Sequence, residues 1–193
     1  MPGERAMVVT HPHPLYGGDM HNHVVKAVVS AYGAQGFTTL RFNFRGVGES
    51  QGSYDGGAGE RIDVLAAIRH LEDMDKKIIH LAGYSFGAWV NALGIEDYAD
   101  RITNLVFVSP PVDFLDFSFL KSCRQLRLVI TGSRDEIASP KSIRELLPQW
   151  NCDAVLRIIS GTDHFYLGKT DRLEAAIREF ILGRKTPDSF DGA

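Results

Sequence analysis

Six short apolar or β-branched runs alternate along this chain with segments of helical spacing, and the alternation limits the fold more than any other feature. The runs cover residues 6–10, 37–44, 77–82, 104–109, 126–131 and 154–160, and their length and side-chain types mark them as strand candidates. Segments 20–34, 59–73, 86–97, 140–150 and 171–183 repeat their apolar residues at helical spacing. Runs such as LVFVS and RLVIT are apolar on both faces, as strands are when helices cover both sides of a parallel sheet. A three-layer, doubly wound α/β domain with a mostly parallel sheet follows.

Local chemistry marks several element ends. Asp19 is expected to cap the first helix, Ser139 followed by Pro140 to begin the fourth, and Asp171 with Glu174 to form a capping box on the last. Gly36 and Gly183 suit helix exits. A chain of 193 residues suits one domain able to bury about 70 per cent of its unfolded surface. That domain is expected over 1–185, with TPDSFDGA at 186–193 as a flexible tail. The short stretch PPVDFLDFSFLKS between the fourth and fifth runs leaves no room for a large inserted domain.

Net charge is −3, and the basic pairs Lys76-Lys77 and Arg184-Lys185 sit beside acids or at a helix end, so no nucleic-acid partner is expected. No apolar run approaches the roughly eighteen residues of a membrane span, and MPGERAMVV has neither the charged start nor the long apolar segment expected of a secretion leader. Cys123 and Cys152 are the only cysteines, too few for a disulfide framework. A cytoplasmic location with reduced thiols is expected.

Chemistry concentrates in LAGYSFGAWV, where Ser85 is the centre of G-x-S-x-G between a strand and a helix. A sharp strand-to-helix turn strains the serine backbone and lifts its hydroxyl above the strand ends, while Gly83 and Gly87 avoid collisions around it. A serine hydroxyl needs a base, and the base needs a group to fix its tautomer. His164, in SGTDHFY just after the last strand, is the candidate base; Asp135, in GSRDEIASP after the fifth, is the favoured acid. Asp113, Asp163 and Glu136 are competing acids. His80 lies within a strand and His70 within a helix, where packing or solvent contact explains them. Parallel order brings all three favoured loops to one sheet edge, in chain order Ser, Asp, His.

HPHPLYGGDMHNH, residues 11–23, holds four of the seven histidines and suggests a metal site at first sight. No Asp, Glu or Cys cluster completes one, and His21 with His23, expected in the first turn of the following helix, do not share a helix face. No metal is expected.

These segments together resemble the serine-type α/β-hydrolases, in particular small cap-less bacterial members related to dienelactone hydrolases. The resemblance rests on HPHPLYGG, RFNFRGVGESQG, GYSFG, SPPVDFLDFSFL, GSRDEIASP and GTDHFY, and runs over nearly the whole chain. Dienelactone hydrolases use a cysteine where Ser85 stands, so lactone specificity is not implied. The superfamily usually has one or two antiparallel strands before the strand preceding HPHP. This chain is expected to lack them, either as a short variant or because its N-terminus is incomplete.

In this superfamily the loop after that strand supplies one oxyanion-hole amide, opposite the amide of the residue after the nucleophile. Pro12 and Pro14 carry no amide hydrogen, so the resemblance implies the backbone of His13, with that of Phe86. Tyr16 and His11 are expected to contact substrate, or in the case of His11 to hold the loop. The implied activity is hydrolysis of a small-molecule ester or thioester of modest size through an acyl-enzyme, without a cofactor. The alternatives are a serine peptidase or amidase of the same fold, which would turn over amides, and a non-catalytic binding protein, whose serine would resist acylating probes.

Overall fold

Alternating side-chain direction along each strand assigns its residues to one of two cores, one on each face of the sheet. The computed structural model of the chain describes residues 3–183, so the expected tail at 186–193 and the domain boundary at 185 lie outside the described residues. Six strands are found among them: β1 (Arg5–Thr10), β2 (Thr38–Arg41), β3 (Ile78–Tyr84), β4 (Asn104–Val108), β5 (Leu126–Gly132) and β6 (Val155–Ile159). The helices are α1 (His23–Gly33), α2 (Glu60–Asp73), α3 (Phe86–Leu93), α4 (Ile95–Tyr98), α5 (Pro140–Trp150) and α6 (Thr170–Ile181).

The strand order is β2-β1-β3-β4-β5-β6, and every pairing is parallel. Ala6 and Val8 of β1 join Leu81 and Phe107 in a core shared with α2, α3 and α5. Met7 and Val9 face the other way, into a core shared with α1 and α6. Both faces are therefore covered, as the two-sided apolar runs require, and the three-layer architecture is that expected of the sequence. Among the described residues no antiparallel strand precedes β1.

Several ends differ from expectation for local reasons. The first helix begins at His23 because Asn22, not Asp19, caps it, its Oδ1 accepting the Val24 amide at 2.8 Å. Asp19 instead accepts the His21 amide at 2.7 Å in a preceding turn, which leaves His21 outside the helix. The expected box on α6 is not formed: Lys169 is the cap residue, without a side-chain bond, and Glu174 accepts a hydrogen bond from Ser30 of α1. Ser139 does cap α5, with Pro140 following it. The segment expected as one helix over 86–97 breaks at Gly94, where the Tyr98 ring packs against the backbone.

His80 is enclosed between the sheet and α1. Its Nε2 accepts a hydrogen bond from Asn104 Nδ2 at 3.0 Å, so the ring hydrogen sits on Nδ1, 3.3 Å from the Tyr32 hydroxyl. Burial, reinforced by Arg5, lowers its pKa to about 4. A folded-state pKa below the unfolded one means that the unfolded chain binds the proton first on acidification. The contribution is complete above the unfolded value of 6.5 and is lost as pH falls toward 4, amounting to about 3 kcal/mol over that range. Urea midpoints at pH 7.5 and 4.5 are expected to fall further apart in the wild type than in His80→Leu. Equal spacing in the two proteins would place the acid sensitivity elsewhere.

Candidate active site

The strand order reverses direction between β1 and β3: the chain goes outward from β1 to β2 and then returns to lay β3 on the other side of β1. Loops leaving the carboxyl ends of β1 and β3 part at this reversal, the usual ligand position in such sheets. Ser85 follows β3 directly, and the HPHP loop follows β1 directly.

Ser85 has φ 54° and ψ −120°, a conformation costly for any residue with a Cβ. Its amide is tied to Val108 O at 2.9 Å, and α3 starts at the next residue. A Cβ on Gly83 would meet Ala88 N at 2.6 Å, and one on Gly87 would meet Thr10 O at 2.6 Å. The two glycines therefore let α3 sit close against the ends of β3 and β1, which steadies the strained turn. The N-terminal end of α3 directs unpaired amides and a partial positive charge at the same place.

The His164 ring bridges serine and carboxylate. Its Nε2 is 2.9 Å from Ser85 Oγ, and its Nδ1 is 3.0 Å from Asp135 Oδ2. The carboxylate faces Nδ1 and keeps the ring hydrogen there, so the Nε2 lone pair is left to accept from the serine hydroxyl. Asp135 is itself held by the Ile137 and Ala138 amides, which reach Oδ1 at 3.0 and 2.8 Å. Burial acts to raise the Asp135 pKa, but the hydrogen bond and charge of His164, with the Ala138 amide, outweigh it and hold the carboxyl below its ordinary value. It is an anion at neutral pH. The three side chains come from separate loops, and all are largely shielded from solvent.

The competing acids have other partners. Asp113 accepts hydrogen bonds from Ser139 N and Ser142 Oγ at the start of α5, Asp163 accepts from the Phe165 amide, and Glu136 is exposed.

The four histidines of residues 11–23 divide into separate tasks. His11 is fully buried, and each of its ring nitrogens is bonded to backbone: Phe44 N to Nε2 at 3.0 Å and Pro12 O to Nδ1 at 2.7 Å. His11, expected to contact substrate or to hold the loop, is thus a ring that solvent does not reach and that bonds the backbone on both sides. His13 Nδ1 accepts the Leu15 amide, its Nε2 lies 3.3 Å from the Tyr54 hydroxyl, and its ring packs 4.6 Å from that of Phe86. Burial lowers the pKa of both rings. His21 is exposed. His23 donates from Nε2 to Phe165 O at 2.6 Å, tying α1 to the residue after His164. Among the described residues no three His, Cys, Asp or Glu side chains are grouped as metal ligands.

Other supports were not legible from motifs. Tyr84 donates to His164 O at 2.9 Å, and Ser109, at the end of β4, bonds the Tyr166 hydroxyl at 2.8 Å. Ser109 and Tyr166 share with Ser85 a positive φ, of 45° and 55°. Strain thus gathers on the three strand-end loops around the serine, the pattern of a site whose surroundings over-determine it. The only sequence cue was the position of Ser109 at a strand end on the catalytic edge. Loops on that edge also expose large apolar side chains: Tyr16, Leu15, Phe114, Phe165 and Leu167 are all more than half exposed.

The alpha/beta hydrolase family model matches residues 8–185. The uncharacterized protein RP471 of Rickettsia prowazekii is 36% identical over 191 residues, covering 94% of this chain and 80% of that protein. An alpha-beta serine hydrolase homologue from Coxiella burnetii superposes with a TM-score of 0.87 at 34% identity, over 94% of this chain and 86% of that one. A Xanthomonas campestris protein, described as a serine hydrolase without a lid, superposes at 0.86 with 33% identity, over 97% and 86% of the two chains. Sheet order, elbow and family match agree, and the chain belongs to the alpha/beta hydrolase family in its cap-less form.

Proposed function

We propose that the protein is a serine hydrolase acting on a carboxylic ester or thioester of modest size through an acyl-enzyme. The observation that carries this reading is the Ser85 Oγ to His164 Nε2 to Asp135 chain, with links of 2.9 and 3.0 Å. Ser85 Oγ attacks the substrate carbonyl carbon as its proton passes to His164 Nε2. The imidazolium so formed is stabilised by the Asp135 carboxylate. Collapse of the tetrahedral species breaks the bond to the alcohol or thiol, which takes the proton from Nε2. Water then gives a proton to Nε2, attacks the acyl carbon and releases the acid, restoring Ser85.

The oxyanion is assigned to the amides of His13 and Phe86. Among the described residues neither amide has a hydrogen-bond acceptor, and the His13 and Phe86 rings are in contact. Each such donor is worth roughly a hundred- to a thousand-fold in turnover. Tyr16, 88% exposed with its ring 4.9 Å from that of His13, offers with Leu15 and Phe165 apolar surface to the acyl or alcohol part of a substrate. No described helix is long and apolar enough to cross a membrane.

The test is labelling with a fluorophosphonate, mapping of the labelled peptide, and turnover of p-nitrophenyl esters of increasing acyl length beside matching anilides. Label on Ser85, with esters cleaved faster than anilides and short acyl groups faster than long ones, is the expected result. Folded protein left unlabelled would remove the hydrolase reading, and anilides cleaved in preference to esters would make it an amidase.

A further inference from the structure

The proposed donor amide of His13 belongs to the Pro12–His13 peptide unit, which is planar and trans, so its carbonyl and its N–H point in opposite directions. Whatever holds the Pro12 carbonyl therefore aims the His13 N–H. Two groups hold it. A Cβ on Gly18 would overlap Pro12 O, so the carbonyl lies directly against the Gly18 backbone. On another side His11 Nδ1 is 2.7 Å from the same oxygen.

The chemistry of the His11 ring settles which way that second bond runs. Phe44 N lies 3.0 Å from Nε2, and an amide N–H can only donate, so Nε2 is the bare nitrogen. A neutral ring then carries its hydrogen on Nδ1, which donates to Pro12 O. The tautomer is thus fixed by the backbone that follows β2, and the Phe44 ring, 4.6 Å away, keeps the imidazole in place. Full burial favours the neutral form.

We propose that His11 is the positioning residue of the oxyanion hole: its Nδ1–H bond to Pro12 O sets the plane of the Pro12–His13 peptide and so presents the His13 N–H to the oxygen that develops on the substrate. This rests on the reading of Ser85 and His13 given above. The same bond withdraws electron density from the peptide and strengthens its N–H as a donor, the cooperative effect of hydrogen bonds in series. His11 itself touches no reacting atom.

Two substitutions separate the two ring nitrogens. In His11→Asn the amide nitrogen takes the place of Nδ1 and can still donate to Pro12 O, while the acceptor for Phe44 N is lost. In His11→Gln the amide oxygen takes the place of Nε2 and can still accept from Phe44 N, while the donor to Pro12 O is lost. Each variant gives up one buried hydrogen bond, so a purely structural role predicts similar losses of thermal stability and activity in both. The positioning role predicts a split: kcat on a p-nitrophenyl ester about 10- to 100-fold lower in His11→Gln, with KM within about threefold, and kcat within about fivefold of wild type in His11→Asn. The rate of fluorophosphonate labelling of Ser85 is expected to follow kcat.

In the unsubstituted protein, 15N spectra are expected to show His11 Nδ1 protonated and Nε2 bare, a measurement that does not depend on how the variants fold. The reverse tautomer, equal kcat in the two variants, or a wild-type kcat in His11→Gln would overturn the role of His11 while leaving the Ser85 reading intact. Wild-type protein that neither takes the label nor cleaves any ester would remove both.

Discussion

Ser85→Ala is expected to lower kcat on a p-nitrophenyl ester by at least about 10⁴-fold, to abolish fluorophosphonate labelling, and to leave the fold in place. The size of the loss follows from the geometry. With Oγ gone, His164 Nε2 has no hydroxyl 2.9 Å away to deprotonate, and the acyl-enzyme route is closed. What survives is attack by water held near the two proposed oxyanion amides, a background of about 10³- to 10⁴-fold over solution that remains when a triad member is removed. The fold survives because alanine fits where serine did: the positive φ at residue 85 is strained for both, and Gly83 and Gly87 are untouched. Circular dichroism and thermal melting should therefore be close to wild type. Since base and nucleophile act as a unit, Ser85→Ala with His164→Ala is expected to be hardly slower than Ser85→Ala alone. Retention of more than about one per cent of activity in the single variant would move the nucleophile to another residue.

The fold was readable because a sheet covered on both faces leaves a pattern that needs no partner to interpret. LVFVS and RLVIT carry unbroken apolar stretches, Leu105 to Val108 and Leu128 to Ile130, whose alternate residues, such as Leu105 and Val106, enter different cores. Strand order was not readable, since nothing local in Thr38–Arg41 says that it lies outside β1. That Ser85, Asp135 and His164 would come together was readable for a related reason: once strands are parallel, every loop that follows one reaches the same edge, and each of the three proposed catalytic residues stands just past a strand end. Failures came where a distant group outbid a local one. Glu174 looked like the capping-box partner of Asp171, three positions before it, but it accepts a hydrogen bond from Ser30, 144 residues away. His23 reaches Phe165 across 142 residues, a contact that no spacing rule could suggest. The histidine-rich stretch was misleading as a count of imidazoles and informative as a count of backbone bonds, because His11, His13 and His23 each spend ring nitrogens on main-chain groups.

Asp135→Asn is expected to cost about 10⁴-fold in kcat, the scale of a triad whose histidine is held in the wrong tautomer. The site itself dictates which way the new amide must lie. Oδ1 of Asp135 accepts the Ile137 and Ala138 amides at 3.0 and 2.8 Å, and an NH₂ group in that place would set donors against donors. An asparagine therefore keeps its oxygen there and puts its nitrogen in the place of Oδ2, 3.0 Å from His164 Nδ1. That nitrogen only donates, and the retained oxygen, 3.1 Å from Nδ1, already accepts two amides, so Nδ1 is expected to accept, the ring hydrogen to move to Nε2, and the atom facing Ser85 Oγ to lose the ability to take its proton. The variant should be folded, should bind ester with little change in KM, and should show the Nε2–H tautomer of His164 by 15N spectroscopy. Asp113→Asn is the matched control: its carboxylate bonds Ser139 N and Ser142 Oγ at the head of α5, so its loss should appear in thermal stability, with kcat changed less than tenfold. The opposite pattern, full activity in Asp135→Asn and loss in Asp113→Asn, would transfer the role of the acid to Asp113.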